Sequence, residues 1–201
     1  MEYMCKHLTM KGFKKGERIV LNAGKGGDIY FLKTGTAKIT GNSDTGEEAI
    51  KYLVNQGEIF GILNLIEGEN ANDFVVAMED SLICVIDSTT LEDMIVNNSN
   101  LNNHLFKLAG LRIQKLERKL EALVYKNAET RIKEFVEDYI KNFGEESGNA
   151  LVAKNMLSNK EIGKLTSTSR QTVNKVLNEL KLKGHLDFDK DVMLMKSKHL
   201  T

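Results

Sequence analysis

The chain has 201 residues, of which 41% are hydrophobic and 28% are charged, and its formal net charge is zero. This length allows one or two domains with a sizeable core, and no apolar run approaches the roughly 20 residues that cross a membrane. The N-terminal segment also lacks an apolar core of signal-peptide length. We therefore expect a cytoplasmic protein with no membrane partner.

Few residues have the chemistry of a catalytic or metal site. Two cysteines, Cys5 and Cys84, are too few for the four thiolates of a usual iron–sulfur cluster. Cys84 lies in the apolar stretch "SLICVIDS", which predicts a buried thiol. The four histidines are not paired at metal-ligand spacing, and no nucleophile elbow, P-loop or His-Glu-x-x-His occurs. We predict no cofactor, no metal and no enzymatic activity.

Residues 12 to about 90 form short segments that alternate apolar and polar side chains, such as "RIVLNAG", "DIYFLKTGTAKITG" and "NDFVVAME". Turn-forming residues separate them, which is typical of a small antiparallel barrel or jelly roll. The segment "GKGGD" at 24–28 precedes no helical pattern, so we interpret it as a turn rather than a phosphate loop. The pattern leaves open whether the barrel is filled by side chains or holds a ligand.

The hydrophobic period changes after residue 87. The segment "STTLEDMIVNN" predicts a short helix that Ser88 caps, with Glu92 and Asp93 favouring its first turn. A second helix is predicted from Ser99 to about Lys126, with a length of about 40 Å.

The long helix carries two apolar stripes. We expect Leu101, Leu105 and Leu108 to pack on the barrel. The other stripe repeats at spacings of three and four, which is the pattern of a coiled-coil seam. We interpret it as the interface of a homodimer, and a buried helix of one monomer is the alternative. The seam consists of Phe106, Ala109, Ile113, Leu116, Leu120 and Leu123.

The segment "YKNAE" at 125–129 interrupts the helical pattern. We predict that Asn127 caps a further helix, from about 128 to 142, and acts as a hinge between the two halves of the chain. The polar segment "GEESGN" at 144–149 is predicted to be a loop.

Two short amphipathic patterns follow in "LSNKEIGKLTSTSRQTVNKVLNELKLKG" at 157–184. Ser158 and Glu161 have capping-box spacing, so they predict a helix from about 159 to 165. "TSTS" ends this helix, and Thr168 or Ser169 begins a second one that runs to about 183. Gln171 either completes a second capping box or faces DNA. Two helices joined by a tight turn form a helix-turn-helix.

The second helix of that motif presents its N-terminal residues to base edges in the major groove. Arg and Lys pair with guanine, Asn and Gln pair with adenine, and hydroxyl groups suit a phosphate. Residues 154–184 contain seven basic and two acidic residues, which agrees with this role. A hairpin wing is predicted at 184–197, and an ordinary helical hairpin is the alternative. The predicted DNA-binding residues are Ser169, Arg170, Gln171, Thr172, Asn174 and Lys175.

The segment "KEIGKLTSTSRQTVNKVLNELKLKG" and its wing resemble the DNA-binding end of bacterial Crp/Fnr-type regulators, the relatives of the cyclic-AMP receptor protein. "GDIYFLKTGTAKI" and "NQGEIFGILNLIEGE" resemble the barrel strands and nucleotide-pocket segment of that family. The resemblance covers about residues 13–197. It implies an α+β fold with an N-terminal antiparallel β-roll (a cupin-like jelly roll, 1–98), a long dimerisation helix (99–126) and a winged helix-turn-helix (127–201).

Positions that match the family's motif carry its roles. Arg170, Gln171 and Lys175 occupy the main base-reading sites. Gln171 stands where the family usually has glutamate, so the preferred DNA half-site is expected to differ. Ser167 stands at a turn position where glycine is common, which implies an unusual backbone there.

The effector segment departs from cyclic-AMP binders. In those proteins a glutamate follows the glycine of "FGE" and an Arg-Ser pair holds the cyclic phosphate, whereas Ile62, Ala71 and Asn72 stand here. A phosphate without its arginine loses a bidentate partner. Leu116 stands at an adenine-contacting position. We therefore predict no cyclic-AMP binding. The candidate effector pocket consists of Gly61, Ile62, Leu63, Ala71, Asn72 and Leu116.

These expectations describe a homodimeric, sequence-specific transcription regulator that an unidentified small-molecule effector controls through the β-roll. Its partners would be a palindromic double-stranded DNA operator and, for an activator, RNA polymerase. One alternative is a small-molecule sensor or cupin-like protein with a vestigial DNA-binding domain, although the barrel segment has no metal-binding histidines. Another is a non-specific architectural DNA binder, against which Arg170 and Gln171 argue.

Overall fold

The structure, a computed structural model, describes residues 8–21, 27–42, 48–61 and 73–196. The chain divides into two compact units, residues 1–114 and 115–201, so the division falls within the long helix. In the described ranges, no helix combines the length and the apolar character that crossing a membrane requires.

The first unit contains eight described strands, and its alternating apolar residues form two antiparallel sheets. The strands are β1 (Thr9–Phe13), β2 (Arg18–Val20), β3 (Asp28–Thr34), β4 (Ala37–Asn42), β5 (Glu48–Val54), β6 (Ile59–Phe60), β7 (Asp73–Ala77) and β8 (Ser81–Asp87). One sheet has the order β1-β8-β3-β6 and the other β2-β7-β4-β5. The predicted antiparallel β-roll is therefore confirmed. The segment 24–28, interpreted as a turn, lies mostly outside the described residues.

Inward-facing side chains of both sheets form one core. Leu32 and Ile83 come from one sheet, Ile39 and Val75 from the other, and all four are at most 1% exposed. The rings of Tyr30 and Phe60 stack in this core, with their centroids 5.2 Å apart. Cys84 is buried, as predicted. The described part of the β-roll interior is thus occupied by side chains.

Two helices follow the β-roll, α1 (Ser88–Asn97) and α2 (Ser99–Tyr125). Asp87, and not Ser88, caps α1, because its carboxylate accepts a hydrogen bond from the backbone N–H of Thr90 at 2.8 Å. Ser88 is buried as the first helical residue, so the predicted cap was wrong by one position. Glu92 and Asp93 were also wrongly placed, since the first turn of α1 has no acidic residue.

The N-terminal part of α2 packs on the first unit. Leu101 and Leu105 are half-buried against a cluster that includes Ile29, Ile86 and Leu91. This confirms the predicted packing for two of the three leucines in that stripe.

The second unit contains α3 (Ala128–Phe143), β9 (Gly144–Ser147), β10 (Ala150–Lys154), α4 (Asn159–Thr166), α5 (Arg170–Leu182), β11 (Leu186–Phe188) and β12 (Val192–Lys196). Its sheet has the order β11-β12-β10-β9 and is antiparallel. The predicted loop at 144–149 was wrong: residues 144–147 pair with β10 through a turn at Gly148, whose φ is 61°. The polar side chains of β9 stay mostly exposed while its backbone is paired, so the apolar pattern did not reveal the strand.

The three helices of the second unit share a core. Ile132 on α3, Ile162 on α4 and Val173 on α5 are fully buried. The Tyr139 hydroxyl on α3 donates to the carbonyl oxygen of Lys154 on β10 at 2.7 Å, which joins the helix to the sheet. Through this packing, α4, α5 and the β11–β12 hairpin belong to one packed domain.

Candidate nucleic-acid interface

The helix-turn-helix begins with a complete capping box at α4. The Ser158 hydroxyl accepts from the N–H of Glu161 at 3.3 Å, and the Glu161 carboxylate accepts from the N–H of Ser158 at 2.8 Å. These bonds satisfy donors that a helix start leaves without intrahelical partners. The sequence prediction of this box is confirmed.

The turn between α4 and α5 depends on Ser167. Its φ of 54° and ψ of 49° place it in the left-handed region, and among the described residues it alone does so without being glycine. Its N–H donates to the carbonyl oxygen of Gly163, which ends the helix. The unusual backbone expected at this position is therefore present. A serine with a Cβ accepts the strain that a glycine would avoid.

Ser169 caps α5, which settles the choice between Thr168 and Ser169. Its hydroxyl accepts from the N–H of Thr172 at 3.0 Å and lies 2.9 Å from the Thr172 hydroxyl. The alternative box formed by Thr168 and Gln171 is absent from α5, since Ser169 occupies the cap position. Ser169 is exposed and Thr172 half-buried.

The two faces of α5 differ sharply in exposure. Arg170, Gln171 and Lys175 are exposed. The inner face contributes four side chains that are at most 5% exposed: Val173, Val176, Leu177 and Leu180. Burial of that face fixes the rotation of the helix, so the three long polar side chains point outward together from its first two turns.

Asn174 has an internal partner that the sequence did not reveal. Its side-chain oxygen accepts a hydrogen bond from the side-chain amide of Asn159, the first residue of α4, and Asn174 is half-buried. The bond links the two helices of the motif at their outer edge. The remaining amide group of Asn174 keeps its two N–H donors, which suit an acceptor on a base.

The hairpin after α5 has an acidic tip. Residues 187–191 contain three aspartates and one lysine. Asp187 lies 2.6 Å from the Lys181 ammonium, and Asp189 accepts the backbone N–H groups of Asp191 and Val192 at 2.7 and 2.9 Å. These hydrogen bonds hold the pKa of Asp187 and of Asp189 below its usual value, so both carboxylates stay charged. The predicted wing with its turn at 189–191 is confirmed, and its tip is negative.

The predicted dimer seam on α2 is exposed to solvent in the single chain. The exposed fraction is 81% for Phe106, 58% for Ile113 and 64% for Leu120. Ala109 is half-buried, while Leu116 and Leu123 are exposed. Apolar side chains that repeat along a helix and that none of the described segments covers form the kind of surface that another helix packs on.

The candidate effector residues are only partly described. Ile62, Leu63, Ala71 and Asn72 lie outside the described residues. Gly61 follows β6 with a φ of 81°, and Leu116 lies in the part of α2 that belongs to the second unit, so the effector pocket stays a prediction. Within the described ranges, no group of three or more His, Cys, Asp or Glu side chains is arranged to hold a metal ion.

A cation–aromatic contact joins α2 to the β-roll within the first unit. The Arg112 guanidinium carbon lies 3.3 Å from the ring centroid of Tyr52 on β5. Burial raises the pKa of the Tyr52 hydroxyl, and the neighbouring Arg112 charge opposes that rise. The sequence pattern gave no signal of this pair, because the two residues are 60 positions apart.

Residues 10–98 match the cyclic nucleotide-binding domain family. Over 198 residues the chain is 22% identical to the CRP-like cAMP-activated global transcriptional regulator of Mycobacterium tuberculosis, covering 98% of this chain and 88% of that protein. It is 22% identical over 191 residues to the fumarate and nitrate reduction regulatory protein of Salmonella typhimurium, covering 95% and 73% of the two chains.

Solved structures share the same fold. FixK2 from Bradyrhizobium japonicum has a TM-score of 0.78 at 19% identity, covering 96% of this chain and 95% of that one. A CooA mutant from Carboxydothermus hydrogenoformans has a TM-score of 0.77 at 21% identity, covering 98% and 87%. The similarity therefore extends over both units of the chain.

Proposed function

Because the chain belongs to the Crp/Fnr-type family of bacterial transcription regulators, we propose that it is a homodimeric, sequence-specific DNA-binding regulator. Its relatives are transcription regulators rather than enzymes, and we extend that to this chain. One observation supports the proposal above all others. Arg170, Gln171 and Lys175 lie exposed together on the outer face of α5.

The proposed base contacts follow from the chemistry of these side chains. Arg170 and Lys175 are donors suited to guanine O6 and N7, and Gln171 is suited to adenine N6 and N7. Asn174 has two remaining donors for a base acceptor. The hydroxyl groups of Ser169 and Thr172 and the helix N-terminus are proposed to contact a phosphate.

Dimerisation through α2 would give the protein two DNA-binding surfaces, one on the α5 helix of each copy. The exposed apolar seam supports that arrangement, since a twofold axis brings the same stripe of each copy together. Two recognition helices related in this way would bind half-sites roughly 34 Å apart. The operator should therefore be a palindrome. RNA polymerase is the expected further partner if the protein activates transcription.

Control is proposed to come from an unidentified effector at the β-roll, transmitted through movement about Asn127. Cyclic AMP is a poor candidate, because Ala71, Asn72 and Leu116 stand where cyclic-AMP binders have polar contacts. Titration calorimetry with cyclic AMP should show no binding. Micromolar binding would overturn this part of the proposal and leave the DNA-binding part intact.

The main test is selection of DNA from a randomised duplex pool by the purified protein at fixed salt. We expect enrichment of a palindrome. Arg170→Ala should then relax the preference at one base position in each half-site, and Lys190→Ala, which removes one charge at the wing turn, should leave that preference unchanged. Equal weakening on all sequences by Arg170→Ala would favour an architectural DNA binder. Absence of any DNA binding would favour a sensor with a vestigial DNA-binding domain.

A further inference from the structure

Arg131 on α3 donates to the main chain of two separate segments. Its Nη1 donates to the carbonyl oxygen of Lys126 at 2.8 Å. Its Nε donates to the carbonyl oxygen of Thr166 at 3.0 Å, and its Nη2 to that of Ser167 at 3.2 Å. A guanidinium is planar and its donors have fixed directions, so three acceptors at once define the relative positions of the two segments.

The first segment is the connection that precedes α3. Lys126 lies between the end of α2 and the Asn127 cap of α3, and the Asn127 side chain accepts from the N–H of Thr130 at 2.9 Å. The Lys126 ammonium also contacts both oxygens of Glu134, at 2.9 and 2.7 Å. Lys126 is therefore held to α3 by its main chain through Arg131 and by its side chain through Glu134.

The second segment is the turn of the helix-turn-helix. Thr166 is the last residue of α4, and Ser167 is its left-handed cap. The last carbonyl groups of a helix have no intrahelical partner, and a cation near them is favourable. Arg131 supplies both the donors and the charge at this point. The turn then leads through two residues to Arg170, the first residue of the recognition helix.

We propose that Arg131 is a positioning residue for DNA recognition, which couples the connection at Lys126 to the turn that aims α5. The inference rests on the proposed function, since it requires specific binding. Displacement of Lys126 would shift the guanidinium and, with it, the carbonyl groups of Thr166 and Ser167. A lysine at this position keeps the charge but has no planar group that reaches three carbonyl oxygens together.

The test compares Arg131→Lys and Arg131→Ala with Lys133→Ala. Lys133 is the matched control, because it is a half-buried cation on the same helix whose only close carboxylate among the described residues is Glu137, at 3.8 Å. Each protein is titrated with the palindrome that the wild type enriches and with an unrelated duplex of equal length, over a range of salt. Urea unfolding at the temperature of the titrations verifies that every protein is folded there.

We expect both Arg131 variants to lose roughly tenfold in affinity for the palindrome, while affinity for the unrelated duplex and its salt slope stay within about twofold of the Lys133 control. Loss with lysine as well as alanine would assign the effect to geometry rather than charge. A Glu134→Gln variant, which weakens the Lys126 contact without touching the turn, should give a smaller loss of the same kind.

Four outcomes would contradict the inference. The first is that Arg131→Lys and Lys133→Ala show the same ratio of affinity for the palindrome to affinity for the unrelated duplex. Arg131 would then have no positioning role. If affinity falls equally on both duplexes, or if neither Arg131 variant folds, its role is purely structural. A wild type that enriches no palindrome would instead contradict the proposed function, and the inference with it.

Discussion

Gly163 on α4 lies directly against Thr168 in the turn of the helix-turn-helix. The N–H of Thr168 donates to the carbonyl oxygen of Gly163 at 2.9 Å. A Cβ added at Gly163 would lie 2.8 Å from the carbonyl oxygen of Thr168, which is closer than van der Waals contact allows. The obstructing atom belongs to the main chain, so no side-chain rotation relieves it.

Gly163→Ala should therefore destabilise the second unit although alanine favours helices. Overpacking against the backbone costs about 1–3 kcal/mol, and the gain in helix propensity offsets up to about 1 kcal/mol of it. We expect a net loss of about 1–2 kcal/mol in the free energy of unfolding by urea. Gly12→Ala is the control, because a Cβ there meets nothing within 4 Å. If the free energy of unfolding is the same for both variants, the turn can shift to accommodate the added methyl group without a cost in stability.

Asp87 gives the first unit a pH-dependent contribution to stability. Hydrogen bonds from the Thr89 and Thr90 hydroxyls and from the Thr90 N–H hold its pKa well below the usual range. Since the folded pKa is depressed, the contribution is complete above the ordinary pKa near 3.9 and is lost as pH falls through the lowered value. Asp87→Ala should cost about 1 kcal/mol at pH 7.

The difference between wild type and Asp87→Ala should shrink as pH falls below about 4, measured by urea unfolding at several pH values. The exposed residue Glu92, which does not cap α1, is the control: Glu92→Ala should show no such pH-dependent difference. A difference that stays constant from pH 7 to pH 3 would mean that the carboxylate charge is irrelevant to the cap.

The acidic wing should weaken DNA binding without affecting its specificity. Asp191→Asn removes one negative charge and keeps the N–H that Asp189 accepts. We expect a few-fold higher affinity for every duplex at low salt and convergence with the wild type at high salt, because salt screens exposed charges. Asp138→Asn makes the same charge change on the exposed surface of α3 and is the control. If both variants gain the same affinity for DNA, the effect comes from the net charge of the protein and not from the location of the wing.

Association through α2 is tested by Leu120→Glu. Leu120 is 64% exposed in the single chain, so the substitution should leave the fold of each unit intact. A glutamate in the proposed seam would face its copy across the twofold axis, and the dimer should dissociate at micromolar concentration in sedimentation experiments. Gln114→Glu places the same charge on α2 outside the seam and should remain dimeric. A dimeric Leu120→Glu variant would contradict the seam.

The features that the sequence predicted correctly are mostly local. Ser158 and Glu161 are three residues apart, and their capping box depends only on that spacing. The buried face of α5 follows the helical period, so Val173 and Leu177 were identified directly. The prediction that Ser88 caps α1 was wrong because Asp87 and Ser88 are both good capping residues. Burial of Ser88 in the tertiary structure favours Asp87 as the cap.

The missed features join residues that are distant in sequence. The backbone pairing of residues 144–147 with β10 does not require apolar side chains, so their polar pattern indicated a loop. Asn159 and Asn174 are 15 residues apart, and Arg131 and Thr166 are 35 apart. Neither contact has a periodic signature, because both depend on how α3, α4 and α5 pack. The base-reading and effector assignments remain predictions.

The lack of any buried residue along α2 affects how the protein would respond to its own abundance. A helix in water gains most of its stability from packing one face, so under the proposed dimer the ordering of α2 beyond its contacts with the β-roll is coupled to the pairing of two chains. While dimers are scarce, their concentration rises with the square of the free-chain concentration. At an operator far from saturation, a twofold change in synthesis or degradation would then alter occupancy nearly fourfold, with no ligand involved.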